Sequence, residues 1–269
     1  MINKVIIFLI IIAFIGCKED KQNEIFSDSD SVKSINFDDN QIRYYEKVYF
    51  KSYGNSLDSN DYAEVKIEYP EIITARASYD SINNYINNQI LNFPLNEETY
   101  NNIDEIADSL FSSYIDVQKE FADYQTKWFI NSNIKILGIF KNIISFKTEE
   151  AMFVGGANSF YNVIYSNFDI STGKIIYFED VVNTDNLEEL ESIGKKIFYN
   201  IRNIPESKSL ENAGYWFENK SFELNDNFAI TDSGLIFFYN LYEIASRAEG
   251  TTELFLPKEK IIGLTNIYE

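Results

Sequence analysis

Pairs of adjacent carboxylates are the residues of this chain that could support hydrolysis. They occur, for example, at Glu149-Glu150, Glu179-Asp180 and Glu188-Glu189. Glycoside hydrolysis needs two carboxylates that face each other at a defined separation. In a chain with 42 Asp and Glu residues, however, adjacent pairs arise from composition alone. We therefore predict no catalytic role for these pairs.

The absence of histidine from the sequence removes most other catalytic machinery. The chain has no His and a single Cys. It therefore lacks the commonest general base, the commonest zinc ligand and every Ser-His or Cys-His arrangement. One Cys also excludes a disulfide within the chain and a thiolate metal site. A Glu or Asp with a raised pKa could still act as a base, but the prediction is a protein that is not an enzyme and has no cofactor or metal.

The charge balance indicates which partners the chain can attract. It has 42 acidic and 23 basic residues, which gives a formal net charge of −19. Proteins that bind nucleic acid need a basic footprint, so the sequence predicts no nucleic-acid partner. A strongly acidic surface instead attracts cationic proteins and speeds their association.

The N-terminus resembles that of a bacterial lipoprotein. Lys4 precedes an unbroken apolar run over residues 5–15, which is short for a membrane span but suits a signal peptide. The run ends in Gly16-Cys17, and a small residue before a lone Cys resembles the bacterial lipobox. This resemblance implies that residues 1–16 are a lipoprotein signal peptide and that Cys17 is the site of lipid attachment. Each buried CH₂ of the acyl chains would contribute about 0.8 kcal/mol to membrane binding.

The residues after Cys17 indicate a location in the cell envelope. The triplet Lys18-Glu19-Asp20 resembles the signal that exports lipoproteins of Bacteroidetes to the outer face of the outer membrane, although it could also be a solvated charged tether. We expect a protein that is lipid-anchored to the outer membrane, on its periplasmic or its surface-exposed face. Residues 17–40 are polar and rich in Ser and Asp, which is typical of a flexible tether.

Hydrophobic periodicity predicts an α+β fold with a mostly antiparallel sheet and packed helices. Alternation over residues 42–50 and 62–69 predicts an antiparallel pair with one solvent-exposed face. Strands and helices come in groups instead of alternating strictly, which disfavours a doubly wound sheet. Asp185 is expected to cap one helix. The expected helices cover residues 81–93, 96–124 and 187–201, with a short one after Pro257; further strands are expected within 127–154, 160–170, 175–178, 227–231, 235–241 and 251–256.

Several short segments along the chain together resemble a known family. They are residues 65–70, 81–91, 154–158 (VGGAN), 167–174 (NFDISTGK), 178–182, 234–239, 242–250 (YEIASRAEG) and 256–257. These segments are similar to the paired extracellular domains of unknown function found in the anti-sigma factor RsiV and beside the catalytic domain of the deacetylase PdaC, which show a Gly-Gly-Ala-His loop and then a hairpin with Thr-Gly-Lys. The resemblance implies two successive α/β subdomains, over residues 41–154 and 155–269.

Two departures from the family pattern bear on the ligand. Asn158 stands where the family usually has His, and Ser246-Arg247 stands where it often has Pro-Tyr. The ectodomain of RsiV binds lysozyme, so the resemblance points to a lysozyme-like cationic protein. Aromatic residues are the usual anchors of protein interfaces, so the loss of one here weakens that expectation.

Each candidate ligand-binding residue also has a structural explanation. Gly155-Gly156 could form an anion-binding nest, or could let two backbones approach closely. Tyr242 and Glu243 could line a groove, or Tyr242 could be a core residue while Glu243 pairs with Arg247. The full set of predicted ligand-binding residues is Gly155, Gly156, Asn158, Tyr161, Tyr242, Glu243 and Arg247.

The sequence therefore predicts a non-catalytic, lipid-anchored binding protein with two alternatives kept open. The favoured ligand is a cationic, lysozyme-like protein. The first alternative is an accessory module that binds peptidoglycan or another glycan, because the Trp and Tyr side chains could stack on sugar rings. The second alternative is an envelope scaffold with no soluble ligand.

Overall fold

The structure is a computed structural model that describes residues 22–37, 40–54, 60–73, 76–93, 99–182 and 184–268. The signal peptide and Cys17 lie outside these ranges. The strands are β1 (Gln22–Phe37), β2 (Asn40–Gly54), β3 (Tyr62–Ile72), β4 (Trp128–Phe140), β5 (Ile143–Phe153), β6 (Phe160–Asp169), β7 (Phe228–Ile230), β8 (Gly234–Tyr239) and β9 (Thr252–Pro257). The α-helices are α1 (Ala77–Leu91), α2 (Ile103–Glu120), α3 (Phe178–Val181), α4 (Leu187–Ile201) and α5 (Lys258–Ile261).

The strands form two sheets, and the predicted α+β class with a mostly antiparallel sheet is confirmed. The larger sheet has the order β1-β2-β3-β4-β5-β6, and the smaller has the order β7-β8-β9. Only β3 and β4 run parallel among these neighbours, with Ala63 opposite Trp128 and Glu68 opposite Asn133. The chain between them contains α1 and α2, which supply the long crossover that parallel strands require.

Helices α1 and α2 cover one face of the larger sheet. Val65 and Ile67 on β3 are fully buried against them, whereas Lys66 and Glu68 point to the opposite, partly exposed face. This alternation is the pattern predicted for residues 62–69. Helix α2 begins where Asn102 accepts a hydrogen bond from the backbone N–H of Glu105 at 3.0 Å, a typical N-cap.

The smaller sheet packs against α3 and α4 around a second hydrophobic core. Phe198 of α4 and Phe237 of β8 are fully buried there. The predicted bounds of α4, residues 187–201, are those of the structure. The predicted cap at Asp185 is wrong, because Asn186 holds the N-cap position and its side chain makes no capping hydrogen bond.

Other element bounds also differ from the sequence predictions. Helix α1 begins at Ala77 and ends at Leu91, and α2 is confined to Ile103–Glu120 because Asn102 caps it. The strand expected over residues 175–178 is reduced to one bridge between Ile175 and Phe168, and Phe178 opens α3.

The prediction of a flexible tether is wrong for residues 22–37. These residues form β1, which pairs with β2 from Gln22 opposite Tyr53 to Phe37 opposite Asn40, with one irregularity between Asp28 and Val32. The ladder is built from backbone N–H and C=O groups, so a segment rich in Ser and Asp can complete it. The polar composition concealed this edge strand.

The predicted subdomain boundary between residues 154 and 155 is also corrected. Strand β6 follows that boundary but pairs with β5, with Met152 opposite Phe160 and Ile143 opposite Asp169. Phe168 and Ile170 belong to the first hydrophobic core, whereas the second core begins with Phe178. The change from one core to the other therefore falls in residues 171–177.

Asparagine side chains join β6 to the smaller sheet. Asn167 of β6 donates to the carbonyl of Phe228 at 2.9 Å and accepts from the N–H of Ile230 at 2.9 Å. In return, Asn227 accepts from the N–H of Tyr165 at 2.7 Å and donates to the carbonyl of Val163 at 2.8 Å. Side-chain amides at each sheet thus make hydrogen bonds to backbone groups at the edge of the other sheet.

Candidate functional site

Two loops meet beside the start of β6. The first connects β5 to β6 and contains Gly155. The second connects β8 to β9: its Asn240 accepts a hydrogen bond from the N–H of Val163 at 2.8 Å, and its Arg247 Nη1 donates to the carbonyl of Ser159 at 3.2 Å. The second loop therefore runs along β6 from Val163 to Ser159. We call the exposed surface of these two loops, with the rings of Tyr161, Trp216 and Tyr242, the loop face.

Tyr242 is the most exposed aromatic ring of the loop face and has an unfavourable backbone conformation. Its φ is +66°, in the left-handed region, and 58% of the residue is exposed. A bulky side chain in this region is uncommon and costs about 1–3 kcal/mol. The conformation persists only where the surroundings hold it.

Glu243 and Trp216 hold the turn that carries Tyr242. The Glu243 carboxylate accepts from the backbone N–H of Asn240 at 2.7 Å and from Nδ2 of Asn225 at 2.6 Å. The indole N–H of Trp216 donates to the Glu243 carbonyl at 3.1 Å, while 48% of Trp216 stays exposed. Glu243 thus fixes the loop, which differs from the alternative in which it pairs with Arg247.

The far end of the same loop is fixed to the end of α4. Arg202 Nη2 donates to the carbonyl of Glu249 at 2.7 Å, and Arg202 Nε donates to the hydroxyl of Tyr215 at 2.7 Å. The Tyr215 hydroxyl in turn donates to the Glu249 carboxylate at 3.3 Å. The loop is therefore ordered before any ligand arrives, which reduces the entropy that binding would cost.

The two glycines of the β5–β6 loop have different surroundings: Gly155 packs against a side chain, whereas Gly156 faces open space. Gly155 has φ +88°, and a Cβ there would lie 2.9 Å from Cζ2 of Trp128. Gly156 has φ +91° but has open space around it, and Asn158 is exposed. This geometry favours the structural explanation for Gly155, which lets the loop cross the indole ring.

Carboxylates surround the aromatic rings at this end of the sheet. Tyr161 is 36% exposed, and its hydroxyl lies 3.5 Å from Oε1 of Glu149. The buried Tyr165 donates to Glu253 at 3.1 Å. Burial, and after it the neighbouring carboxylate, raises the pKa of each tyrosine hydroxyl, so both stay neutral donors at ordinary pH.

The adjacent carboxylates do not form a facing pair on β5. Glu149 lies on the partly exposed face, where Lys147 pairs with it at 2.9 Å, whereas Glu150 is buried on the other face. Successive strand residues point to opposite faces. Within the described ranges, no three His, Cys, Asp or Glu residues are grouped so that they could hold a metal ion. None of the helices in that part of the chain has the length and apolar character that crossing a membrane requires.

The structure brings the two loops that contain most of the predicted site residues together at the start of β6, and it places Trp216 beside Glu243. The role of the predicted residues in ligand binding stays a prediction. Trp216 was not among the predicted site residues, because nothing in the sequence places it beside Glu243, 27 positions away. The predicted residues that belong to the two loops or to the start of β6 are Gly155, Gly156, Asn158, Tyr161, Tyr242, Glu243 and Arg247.

Two protein families match successive parts of the chain. Residues 57–161 match the family described as "Deacetylase PdaC", and residues 178–259 match the "Protein of unknown function (DUF3298)" family. No curated protein matches the chain in sequence.

Crystal structures of DUF3298 proteins share the fold over nearly the whole chain. A DUF3298 family member from Bacteroides fragilis NCTC 9343 has a TM-score of 0.61 at 15% identity, covering 92% of this chain and 94% of its own. A DUF3298 family protein from Pseudomonas aeruginosa PAO1 has a TM-score of 0.56 at 12% identity, covering 93% of this chain and 96% of its own. The two family matches support paired domains of unknown function of the PdaC and DUF3298 type, and the crystal structures show that the fold is shared.

Proposed function

We propose that this chain is a non-catalytic binding protein of the bacterial cell envelope. A lipid on Cys17 anchors it to the outer membrane, and its loop face binds a cationic, lysozyme-like protein. The anchor rests on the sequence alone, because the apolar run before Gly16-Cys17 suits a lipoprotein signal peptide. The binding function rests on the loop face.

The observation that carries the proposal is the exposed ring of Tyr242 on a strained, well-anchored turn. Stability alone does not explain why a tyrosine occupies a left-handed position with 58% of its surface in solvent. Strain of this kind clusters at binding sites, where surrounding contacts impose a conformation that the ligand needs. Tyr and Trp are also the residues that most often anchor interfaces.

The charge around the ring favours a cationic partner. The carboxylates of Glu243 and Glu249 lie on the same loop and are exposed, and the whole chain carries a net charge of −19. A Lys or Arg side chain of the partner could stack on the Tyr242 ring while it meets these carboxylates.

The position of Arg247 removes one objection to this partner. The sequence departure at Ser246-Arg247 placed a cation on the expected contact surface. Arg247 is half-buried, and its guanidinium donates to the carbonyl of Ser159. Its charge is therefore directed toward the protein's own backbone and presents less repulsion to a basic protein than an exposed Arg would.

Glycan binding is the second candidate, and the exposed indole of Trp216 favours it. Its N–H is already bonded to Glu243, so the ring is held in place with 48% of the residue in solvent. An indole fixed in this way offers a flat face on which a sugar ring can stack.

A titration with hen lysozyme tests the favoured function. We expect the purified full chain, held in detergent, to bind lysozyme at about 50 mM salt and more weakly at about 300 mM, because the Debye length shrinks from roughly 14 to 6 Å. Tyr242→Ala should weaken binding by about tenfold or more, which corresponds to at least about 1.4 kcal/mol. Phe121→Ala is the matched control, because Phe121 is 55% exposed, lies at the end of α2 and belongs to neither loop.

The outcomes separate the candidates. Equal losses in Tyr242→Ala and Phe121→Ala would count against a specific site on the loop face. Absence of lysozyme binding at low salt, combined with salt-insensitive binding of peptidoglycan fragments that Trp216→Ala abolishes, would replace the protein ligand by a glycan. Co-purification with an envelope complex and no binding to either ligand would indicate a scaffold.

The anchor has its own test. Cells that express the chain should incorporate a clickable fatty acid into it, and Cys17→Ala should abolish both the label and the membrane association. A Cys17→Ala variant that still takes up lipid would contradict the proposed anchor. Protease treatment of intact cells would then distinguish the surface-exposed from the periplasmic face.

A further inference from the structure

A cavity lies where the two parallel strands of the larger sheet separate. Strands β3 and β4 pair only as far as Glu68 and Asn133; beyond this point β3 pairs only with β2, and β4 only with β5. A cavity of about 290 Å³ occupies this place. It is lined by residues of β2, β3 and β4, including Val48, Glu68, Asn133, Ile134 and Lys135.

The cavity lies within the sheet, beyond the last paired residues of β3 and β4. Strand β3 continues from there to Ile72 beside β2, and β4 continues to Phe140 beside β5. The cavity therefore fills the gap that opens between two strands that part before either of them ends.

Charged side chains of both signs line the cavity. Glu68 lies beside Asn133 in the sheet, and Lys135 follows two residues later on the same face of β4. Glu68 pairs with Lys66 at 3.0 Å on its own strand. Lys135 is exposed and forms no ion pair among the residues that the structure describes.

Glu46 and Lys47 of β2 also line the cavity, and they pair with Lys33 at 2.5 Å and with Glu71 at 3.2 Å. The cavity thus offers the Glu68 carboxylate and the Lys135 ammonium group, with the side chain of Val48 on the same face of the sheet. Ile134 points to the buried opposite face.

The spacing and the volume limit the size of a ligand that could use both charges. Glu68 and Lys135 lie on neighbouring strands, about 4.8 Å apart, and are offset by two residues, each of which rises about 3.3 Å. Their Cα atoms are therefore about 8 Å apart. Two extended peptide residues span about 7 Å, so the terminal charges of a dipeptide can reach both side chains. The ammonium and carboxylate groups of a single amino acid are attached to the same Cα atom and lie closer together. At about 30 Å³ for each water-sized group, a cavity of about 290 Å³ holds a molecule of the size of a dipeptide.

We propose that this cavity binds a short zwitterionic peptide, of which a dipeptide is the smallest that fits. The amino end would lie at Glu68 and the carboxylate at Lys135, with the side chains of the peptide beside Val48. This site lies within the segment that matches the PdaC family, on β2, β3 and β4, and is independent of the loop face beside β6. Its failure would therefore leave the proposed protein ligand untouched.

Calorimetric titration of the full chain in detergent with alanylalanine tests the proposal. We expect binding of alanylalanine and at least about tenfold weaker binding of alanine, or of alanylalanine acetylated and amidated at its ends, a difference of about 1.4 kcal/mol. Lys135→Ala and Glu68→Gln should each weaken alanylalanine binding by about the same factor. Amide resonances of Glu68, Tyr69 and residues 133–136 should shift in the nuclear magnetic resonance spectrum on titration.

Two control variants remove equivalent charges outside the cavity. Asp116→Asn breaks the Lys119–Asp116 pair on α2, which has the same 3.0 Å distance as the Lys66–Glu68 pair, and Lys208→Ala removes an exposed lysine that follows α4. Both should bind alanylalanine as the unaltered chain does. The proposal is overturned if alanylalanine does not bind at about 10 mM, if the blocked peptide binds equally well, or if the control variants lose as much affinity as Lys135→Ala.

Discussion

The side chain of Asn240 makes with Val163 both hydrogen bonds that a neighbouring strand would make. Its Oδ1 accepts from the N–H of Val163 at 2.8 Å, and its Nδ2 donates to the carbonyl of the same residue at 2.9 Å. A side-chain amide carries the same donor and acceptor as a peptide group. The edge of β6 is therefore satisfied here by a side chain from the β8–β9 loop.

Removal of this amide should destabilise the fold. In Asn240→Ala the buried N–H of Val163 loses its partner, whereas its carbonyl keeps the bond from Asn227. One buried unsatisfied group costs about 1–3 kcal/mol, so the free energy of unfolding measured in urea should fall by that amount. Asn219→Ala is the control: its amide bonds only the exposed Glu223 carboxylate, and the change should stay below about 0.5 kcal/mol. Equal effects in both variants would show that the strand edge does not need Asn240.

The two glycines of the β5–β6 loop should differ in their tolerance of a methyl group. Both have φ near +90°, so alanine is strained at either position by about 1–2 kcal/mol. Only Gly155→Ala would also press a Cβ against Trp128, at 2.9 Å. We therefore expect a larger fall in Tm for Gly155→Ala than for Gly156→Ala, with about 2–4 °C for each kcal/mol. Equal falls would mean that the indole ring moves aside freely.

The buried carboxyl of Glu150 should make stability depend on pH. Burial raises its pKa above the ordinary 4.5, and the hydrogen bond that it accepts from Asn162 at 3.2 Å only partly opposes this. The folded state therefore holds a proton that the unfolded state has released. Stability from this group is present below about pH 4.5 and is lost as the pH rises through the raised pKa.

Glu150→Gln should remove that dependence. The variant keeps an acceptor for Asn162 but cannot ionise, so its free energy of unfolding relative to the unaltered chain should be higher at pH 7 than at pH 4. Urea unfolding at both pH values measures this difference. Glu149→Gln, at the neighbouring position on the partly exposed face, should show no comparable change between the two pH values. A difference of the opposite sign for Glu150→Gln would mean that the carboxylate is stabilised in the fold.

Arg247 gives a test in which charge and structure predict opposite results. Loss of a cation from an acidic protein should strengthen its attraction to a basic partner. Loss of the bond from Arg247 to Ser159 should instead loosen the loop that carries Tyr242 and weaken binding. We expect Arg247→Gln to bind lysozyme less tightly and to show faster hydrogen exchange at residues 242–247. Tighter binding with unchanged exchange would show that Arg247 acts through its charge alone.

Local patterns predicted those elements whose apolar residues follow a helical or strand period. Helix α4 was found at its correct bounds because an apolar stripe runs from Leu187 to Ile201. Strand β1 was missed because most of its residues are polar and its few apolar residues do not alternate with them. Its ladder depends on backbone groups and on the pairing with β2, which the β1 sequence alone does not reveal.

The sequence predicted which segments belong to the candidate site, but it did not predict which of them contact one another. The family resemblance drew attention to Gly155-Gly156 and to Tyr242, and the structure brings both loops to β6. Their connection through Arg247 and Ser159 joins residues 88 positions apart, which no local pattern reveals. One feature of the sequence could have indicated the roles of Asn227 and Asn240. Asparagine is depleted in strands, so an asparagine at the end of a strand can be expected to use its side chain in place of a peptide group.

The closure of β6 by later residues also sets an order of events during synthesis. Asn240 is 77 residues beyond Val163, and Asn227 is 62 beyond Tyr165. At about 5–20 residues per second, the partners of β6 emerge about 3–15 s after the strand itself. For those seconds β6 is an uncovered edge that could pair with a strand of another chain. In refolding of the whole chain, β6 is likewise an open edge until Asn227 and Asn240 reach it, so high concentration should favour intermolecular aggregates and slow dilution should favour the native chain.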